Sequence, residues 1–140
     1  MQSEVVLSVR NFRKTYGNLT AVDDLNFEVR RGEIYGLLGP NGAGKTSTLE
    51  SLEGLRKPDG GSLNILGVDP VRQPQKLRNL IGVQLQSSGL PPMMTVEEAM
   101  QFFCAYHGVP ARTDLLERLN LVEKRRGQFS LLSAGQQRRL

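Results

Sequence analysis

The octapeptide Gly39-Pro40-Asn41-Gly42-Ala43-Gly44-Lys45-Thr46 constrains this chain more than any other stretch. It follows the apolar run Ile34–Leu38 and precedes Ser47–Leu52, so it reads as a loop between a strand and a helix. Glycines at 39, 42 and 44 let the backbone wrap a small anion and turn successive N–H groups onto its oxygens. A helix that begins near Gly44 adds its unpaired amides and the positive end of its dipole. Lys45 brings a full charge for β- and γ-phosphates, and Thr46 a hydroxyl for Mg²⁺. The candidate phosphate-binding residues are therefore Gly39, Asn41, Gly42, Ala43, Gly44, Lys45, Thr46 and Ser47, with Thr46 also a candidate metal ligand. The bland alternative is a glycine-rich turn, and both flanks argue against it.

Around this loop, 140 residues suffice for one core and are too few for two ordinary domains. A formal charge of +4 suits a polyphosphate ligand or an anionic surface nearby. It is too mild to argue for nucleic acid, and no nucleic-acid partner is expected. The single cysteine, Cys104, excludes an intramolecular disulfide and fits a reducing compartment. Met1–Glu4 begins acidic and runs straight into a strand-like segment, so no signal peptide is expected, and no apolar run is long enough to span a membrane.

Alternation predicts strands at 4–10, 25–30 and 62–66, and 80–85 reads as a buried strand ending at Gln86. The helix after the phosphate loop is expected to run to about Leu55 and to bury Leu49, Leu52 and Leu55. A short helix is expected at 73–78. Thr95 with Glu98 forms a capping box before an apolar face of Val96, Ala99, Met100 and Phe103. Gly108 and Pro110 end that helix, with His107 in its last turn as a structural residue. A second helix is expected at 113–120 with Leu115, Leu116 and Leu119 as its apolar set. Lys124–Gly127 reads as a solvated basic loop, and Ser133-Ala134-Gly135 as the cap of a final helix. Tyr16, beside Gly17, has two readings: a packed turn aromatic, which spacing alone favours, or a ring that stacks on a base.

Taken together, Tyr16, Gly39–Thr46, Gln86 and Leu132-Ser133-Ala134-Gly135-Gln136 resemble, in order and spacing, the ATP-binding subunit of an ATP-binding-cassette (ABC) transporter. The resemblance covers about Val5 to Leu140. The wording of 36–46 and of Leu52-Glu53-Gly54-Leu55 is similar to bacterial exporters of the drug-efflux and polysaccharide or antibiotic-resistance type. It implies an α/β P-loop NTPase with an incomplete RecA-like core, an N-terminal antiparallel β-subdomain within 1–86 and a helical subdomain within 87–140. It implies that Tyr16 stacks on adenine, which reverses the spacing-only preference. It further implies that Gln86 contacts Mg²⁺ and the attacking water as a catalytic residue. Ser133, Ala134, Gly135 and Gln136 match the signature that contacts ATP bound by a second nucleotide-binding domain, paired head to tail. The cofactors implied are ATP and Mg²⁺. The partners implied are a transmembrane permease and a second cassette, homo- or heterodimeric, placing the chain in the cytoplasm against the inner or plasma membrane.

Two departures qualify the resemblance. Ala134 stands where the signature has its first glycine, and a positive φ there would weaken the sandwiching of nucleotide. The Walker B aspartate, the catalytic glutamate and the switch histidine have no counterpart in these 140 residues. The expectation is of a truncated cassette that binds ATP and hydrolyses it little. A soluble ABC-family ATPase of DNA repair or translation, and a non-catalytic interaction fragment, are the alternative functions.

Overall fold

A computed structural model describes residues 4–84 and 89–140. The chain divides into two compact units, Met1–Val83 and Gln84–Leu140.

The first unit is built on a three-stranded antiparallel sheet in the order β2-β1-β3: β1 Val5–Tyr16, β2 Leu19–Arg30 and β3 Gly60–Ile65. β1 and β2 are each twelve residues long, well beyond the expected 4–10 and 25–30. A bulge hides their continuity in the sequence. Val9 and Phe12 are both fully buried although three residues apart, because the ladder slips between them. An extra residue breaks the period-two pattern that marks a strand. Asn11 (φ 48°) and Asp24 (φ 51°) take left-handed conformations on either side of the slip. Side chains hold them there. The Asn11 N–H donates to Asn26 Oδ1 at 2.8 Å, and Asn11 Nδ2 and Asn26 Nδ2 donate to Asp24 Oδ1 at 2.6 and 2.9 Å. These donors, Asn11 first, lower the Asp24 carboxyl pKa below its ordinary value. β3 then starts at Gly60, ahead of the expected Ser62. Gly61 (φ +80°) lies against the bulge, where an added Cβ would stand 2.3 Å from the Asn11 carbonyl oxygen. Only glycine fits there.

Helix α1, Lys45–Leu52, is shorter than expected and buries a different face. Thr48, Ser51 and Leu52 face inward, whereas Leu49 and Leu55 are exposed. The two buried hydroxyls are satisfied within the helix: Thr48 Oγ1 donates to the Gly44 carbonyl at 3.0 Å and Ser51 Oγ to the Ser47 carbonyl at 2.7 Å. Once paired in this way, small polar side chains can be buried at little cost, so the leucine spacing misled. A Schellman ending stops the helix before Leu55, with Leu55 N–H donating to the Glu50 carbonyl and Gly54 N–H to the Ser51 carbonyl. Val9, Phe12, Leu52, Leu63, Ile65, Val68 and Leu77 form the core, the last from the short helix α2, Pro74–Arg78.

Two expected strands are not formed. Residues 33–40 pair with nothing in a sheet, and Ile34 and Leu38 are 99% and 92% exposed. A central parallel strand becomes buried only between neighbours on both edges, and among the described residues no strand pairs with this run. Tyr35 stacks on Phe27 of β2, rings 4.8 Å apart, and ties the segment to the sheet. Residues 81–84 are likewise irregular, with Leu80 and Val83 exposed; Leu85 and Gln86 lie outside the described residues.

The second unit holds α3 Val96–Tyr106, α4 Asp114–Arg118 and α5 Ala134–Arg139; its core is Val96, Met100, Cys104, Leu116, Leu121, Phe129 and Leu132, and α5 buries no side chain in it. The Thr95–Glu98 capping box is present, and the Thr95 backbone N–H lowers the Glu98 carboxyl pKa. Cys104, a free thiol, takes the buried place expected of Phe103, which is 38% exposed. α3 turns Phe102, Phe103 and Tyr106 outward. The basic loop is exposed as expected, yet it also braces α3. Arg125 pairs with Glu97 at 3.2 Å, and the Arg125 and Gly127 carbonyls accept the Glu97 and Val96 N–H groups.

Candidate nucleotide-phosphate site

Gly44 decides the shape of the phosphate loop. It is the N-cap of α1, with φ +78°. An added Cβ would stand 2.3 Å from Val22 Cγ2 and 2.6 Å from the Ala21 carbonyl oxygen. The loop is therefore pressed onto β2, and the helix can start there only with glycine. The same residue leaves the start of the helix open. The Lys45, Thr46 and Ser47 amides have no carbonyl four residues back within the helix, and no side chain caps them. Lys45 reaches back across the loop and donates from Nζ to the Gly39 and Pro40 carbonyls at 2.7 and 2.6 Å. An ammonium has three donors, so one is left, together with the charge. Asn41, Gly42, Ala43 and Thr46 are exposed along the same rim, and nothing stands within 4 Å of a Cβ placed on Gly42.

This donor set fits a polyphosphate: open amides at a helix N-terminus, a lysine ammonium and a loop without side-chain cover. For Mg²⁺ the chain offers the Thr46 hydroxyl. Among the described residues no group of three His, Cys, Asp or Glu side chains could hold a metal.

Tyr16, the last residue of β1, is brought to this site. Its hydroxyl shares a 2.9 Å hydrogen bond with Ser47 Oγ, in the first turn of α1. The ring is 38% exposed, with Arg56 Cζ 5.3 Å and Lys14 Nζ 5.5 Å from its centroid. The tight Gly17-Asn18 hairpin that ends β1, with Gly17 at φ +56°, fixes where the ring emerges. Asp59 pins the strand end beside it. The carboxylate accepts the Thr15 backbone N–H at 2.7 Å and the Lys14 ammonium at 2.9 Å, and the Asp59 pKa falls to about 2. The Arg56, Glu50, Lys14 and Asp59 contacts were missed in the sequence. The one signal for them was the six-residue separation of Glu50 and Arg56 across a helix end.

The signature residues lie in the second unit. Ser133 is the N-cap of α5, and the two halves of a capping box are formed. Ser133 Oγ accepts the Gln136 N–H at 3.3 Å, and Gln136 Oε1 accepts the Ser133 N–H at 2.9 Å. Ala134 is the first helical residue, a conformation open to any L-residue, so the replaced glycine brings no backbone strain. Gly135 stands with nothing within 4 Å of a Cβ built on it. Gln86 lies outside the described residues.

Comparison with known proteins agrees with this geometry. A sequence profile of the ABC transporter family matches residues 22–140. A Nod factor export ATP-binding protein I from Ralstonia nicotianae is 44% identical over 144 residues, covering 99% of this chain and 45% of that protein. A protein of the same name from Bradyrhizobium sp. is 40% identical, over 99% of this chain and 47% of its own length. The chain spans about half the length of these curated relatives. Among solved structures, an ATP-binding subunit of an ABC transporter superposes with a TM-score of 0.82 at 25% identity, over 96% of this chain and 58% of that one. A nucleotide-free ATP-binding cassette shares the fold, with a TM-score of 0.76 at 23% identity, over 95% of this chain and 61% of that one.

Proposed function

The chain belongs to the ABC transporter family, and from that premise we propose that it is the ATP-binding part of a subunit that drives export through a membrane permease. The observation that carries this reading is the open N-terminus of α1, with Lys45 over the loop and Tyr16 hydrogen-bonded to Ser47 beside it. The amides of residues 45–47 and the Lys45 ammonium hold the β- and γ-phosphates. Gly39, Asn41, Gly42 and Ala43 line the approach. Tyr16 stacks on the adenine base. Thr46 and Gln86 give oxygen ligands to the Mg²⁺ that travels with the nucleotide, whose charge neutralises the phosphates, and Gln86 also orients water. Ser133 and Gly135 meet ATP held by a second cassette. Ser133 Oγ accepts from Gln136 but keeps its own proton to donate, and the Ala134 and Gly135 amides stand at a helix start.

The relatives are named for Nod factor export, which supports the export direction. No helix among the described residues is long and apolar enough to cross a membrane. Attachment on the cytoplasmic side is then through a permease partner. The exposed Phe102, Phe103 and Tyr106 of α3 supply an apolar surface for that contact. These 140 residues carry no counterpart of the Walker B aspartate, the catalytic glutamate or the switch histidine, and in this reading they bind ATP without steady turnover.

Equilibrium binding of Mg-ATP to the purified chain, with phosphate release followed in parallel, tests the reading. Saturable binding that Lys45→Ala weakens tenfold or more, without steady phosphate release, is expected. Failure to bind, or binding indifferent to Lys45, overturns it.

A further inference from the structure

Tyr16 is tethered at two points to one face of α1. Its hydroxyl meets Ser47, and its ring meets Arg56, whose guanidinium is itself held by Glu50. Ser47 and Glu50 are three residues apart and share a helix face. Arg56 is delivered by the helix ending: its N–H donates to the Glu50 carbonyl at 3.1 Å, while Nε and Nη2 both reach Glu50 Oε2 at 2.6 Å. A guanidinium that donates two N–H groups to one carboxylate in this way has little freedom left and can act as a fixed support for an aromatic ring. Lys14, the other cation near the ring, is committed elsewhere, to the Lys57 carbonyl at 2.8 Å and to Asp59.

We propose that Arg56, locked by Glu50, is a positioning residue that sets the Tyr16 ring at the phosphate site and so governs how much the nucleobase contributes to affinity. This rests on the base-stacking role of Tyr16. The helix that carries Lys45 and Thr46 at its start also carries Ser47, which meets the ring's hydroxyl, and Glu50, which holds Arg56 just past the helix end. Base and phosphate contacts are thereby referred to the same rigid element. Arg56 itself touches the ring, and its effect on ligand passes through Tyr16.

The test compares ATP with inorganic tripolyphosphate, each with Mg²⁺, by titration calorimetry on the full 140-residue chain. Arg56→Ala is expected to weaken ATP about two- to fivefold, the size of a partly exposed cation–aromatic contact, and to leave tripolyphosphate unchanged. Arg56→Lys keeps a cation and stays within a factor of two of the parent for both ligands. If Arg56→Ala does not fold, Glu50→Gln loosens the same support and is expected to show the same ATP-selective loss. Equal losses for both ligands, or none, overturn the proposal. Tyr16→Ala separates the two levels. If it spares the difference between ATP and tripolyphosphate, base stacking by Tyr16 falls. If it abolishes that difference while Arg56→Ala and Glu50→Gln do not, only the positioning role falls.

Discussion

The molecule presents two helix N-termini that carry recognised motifs, and it finishes them in opposite ways. At α1 the N-cap is Gly44, which has no side chain to offer, and the first-turn amides are left uncapped. At α5 the N-cap is Ser133, which closes a full capping box with Gln136. The first arrangement costs little local stability, about a few tenths of a kcal/mol for glycine in place of a side-chain cap, and it keeps the amides for an outside anion. The second stabilises its own short helix and leaves for a ligand only what the cap does not use, the Ser133 hydroxyl proton and the next two amides. In the proposed reading, one terminus binds phosphate alone, and the other stays folded until a phosphate is presented to it.

Substituting the glycine at each terminus should separate them most widely. Gly44→Ala forces a Cβ onto Val22 and the Ala21 carbonyl at a φ that L-residues avoid. We expect a loss of about 2–5 kcal/mol in denaturant unfolding, together with loss of ATP binding. Gly135→Ala meets open space inside a helix and should stabilise by about 0.5–1 kcal/mol. Similar costs at the two sites would erase the contrast.

The polar side chains give the next effect. Lys45→Ala removes a charged donor from the loop and should weaken ATP binding by about 10–100-fold, the range for hydrogen bonds to ionised groups, with the fold kept. Ser133→Ala should instead cost about 1 kcal/mol of stability and leave the affinity of the isolated chain for ATP within twofold. A large affinity loss in Ser133→Ala would show that the second terminus also binds nucleotide without a partner.

The smallest effect concerns the support of Tyr16. The Asp59 pKa is held at about 2, against an ordinary value of 3.8, chiefly by the Thr15 backbone N–H and then by Lys14. A carboxyl whose pKa is depressed by folding stabilises the fold above its unfolded value. That stabilisation is lost as pH falls through its folded value. Stability should therefore decline between about pH 3.8 and about pH 2, and Asp59→Asn should flatten that slope in thermal melts while leaving the neutral-pH ion pairs of the second unit untouched. An unchanged slope would mean that Asp59 does not pin the strand end.

How legible each region was in the sequence follows from how local its causes are. The helix start after the phosphate loop and the Thr95 and Ser133 caps depend on residues within a few positions of one another, and the structure places these three helix starts as read. The full length of β1 was hidden because the Asn11 bulge depends on Asp24 and Asn26 in another strand. The inward face of α1 was misread because Thr48 and Ser51 pair with their own helix and need no outside partner. Ile34–Leu38 had the composition of a buried strand, but burial requires neighbours that the described residues do not supply. Arg56 could not be recognised as a support for Tyr16, since forty residues separate them and only the sheet and α1 bring them together.

Backbone amide shifts in ¹⁵N NMR on titration with Mg-ATP test the central contrast most directly. The account predicts saturable shifts at Gly42, Gly44, Lys45, Thr46 and Ser47, with Ala134, Gly135 and Gln136 unmoved while the chain is monomeric. Shifts of equal size at both helix starts, or none in the phosphate loop, would contradict it.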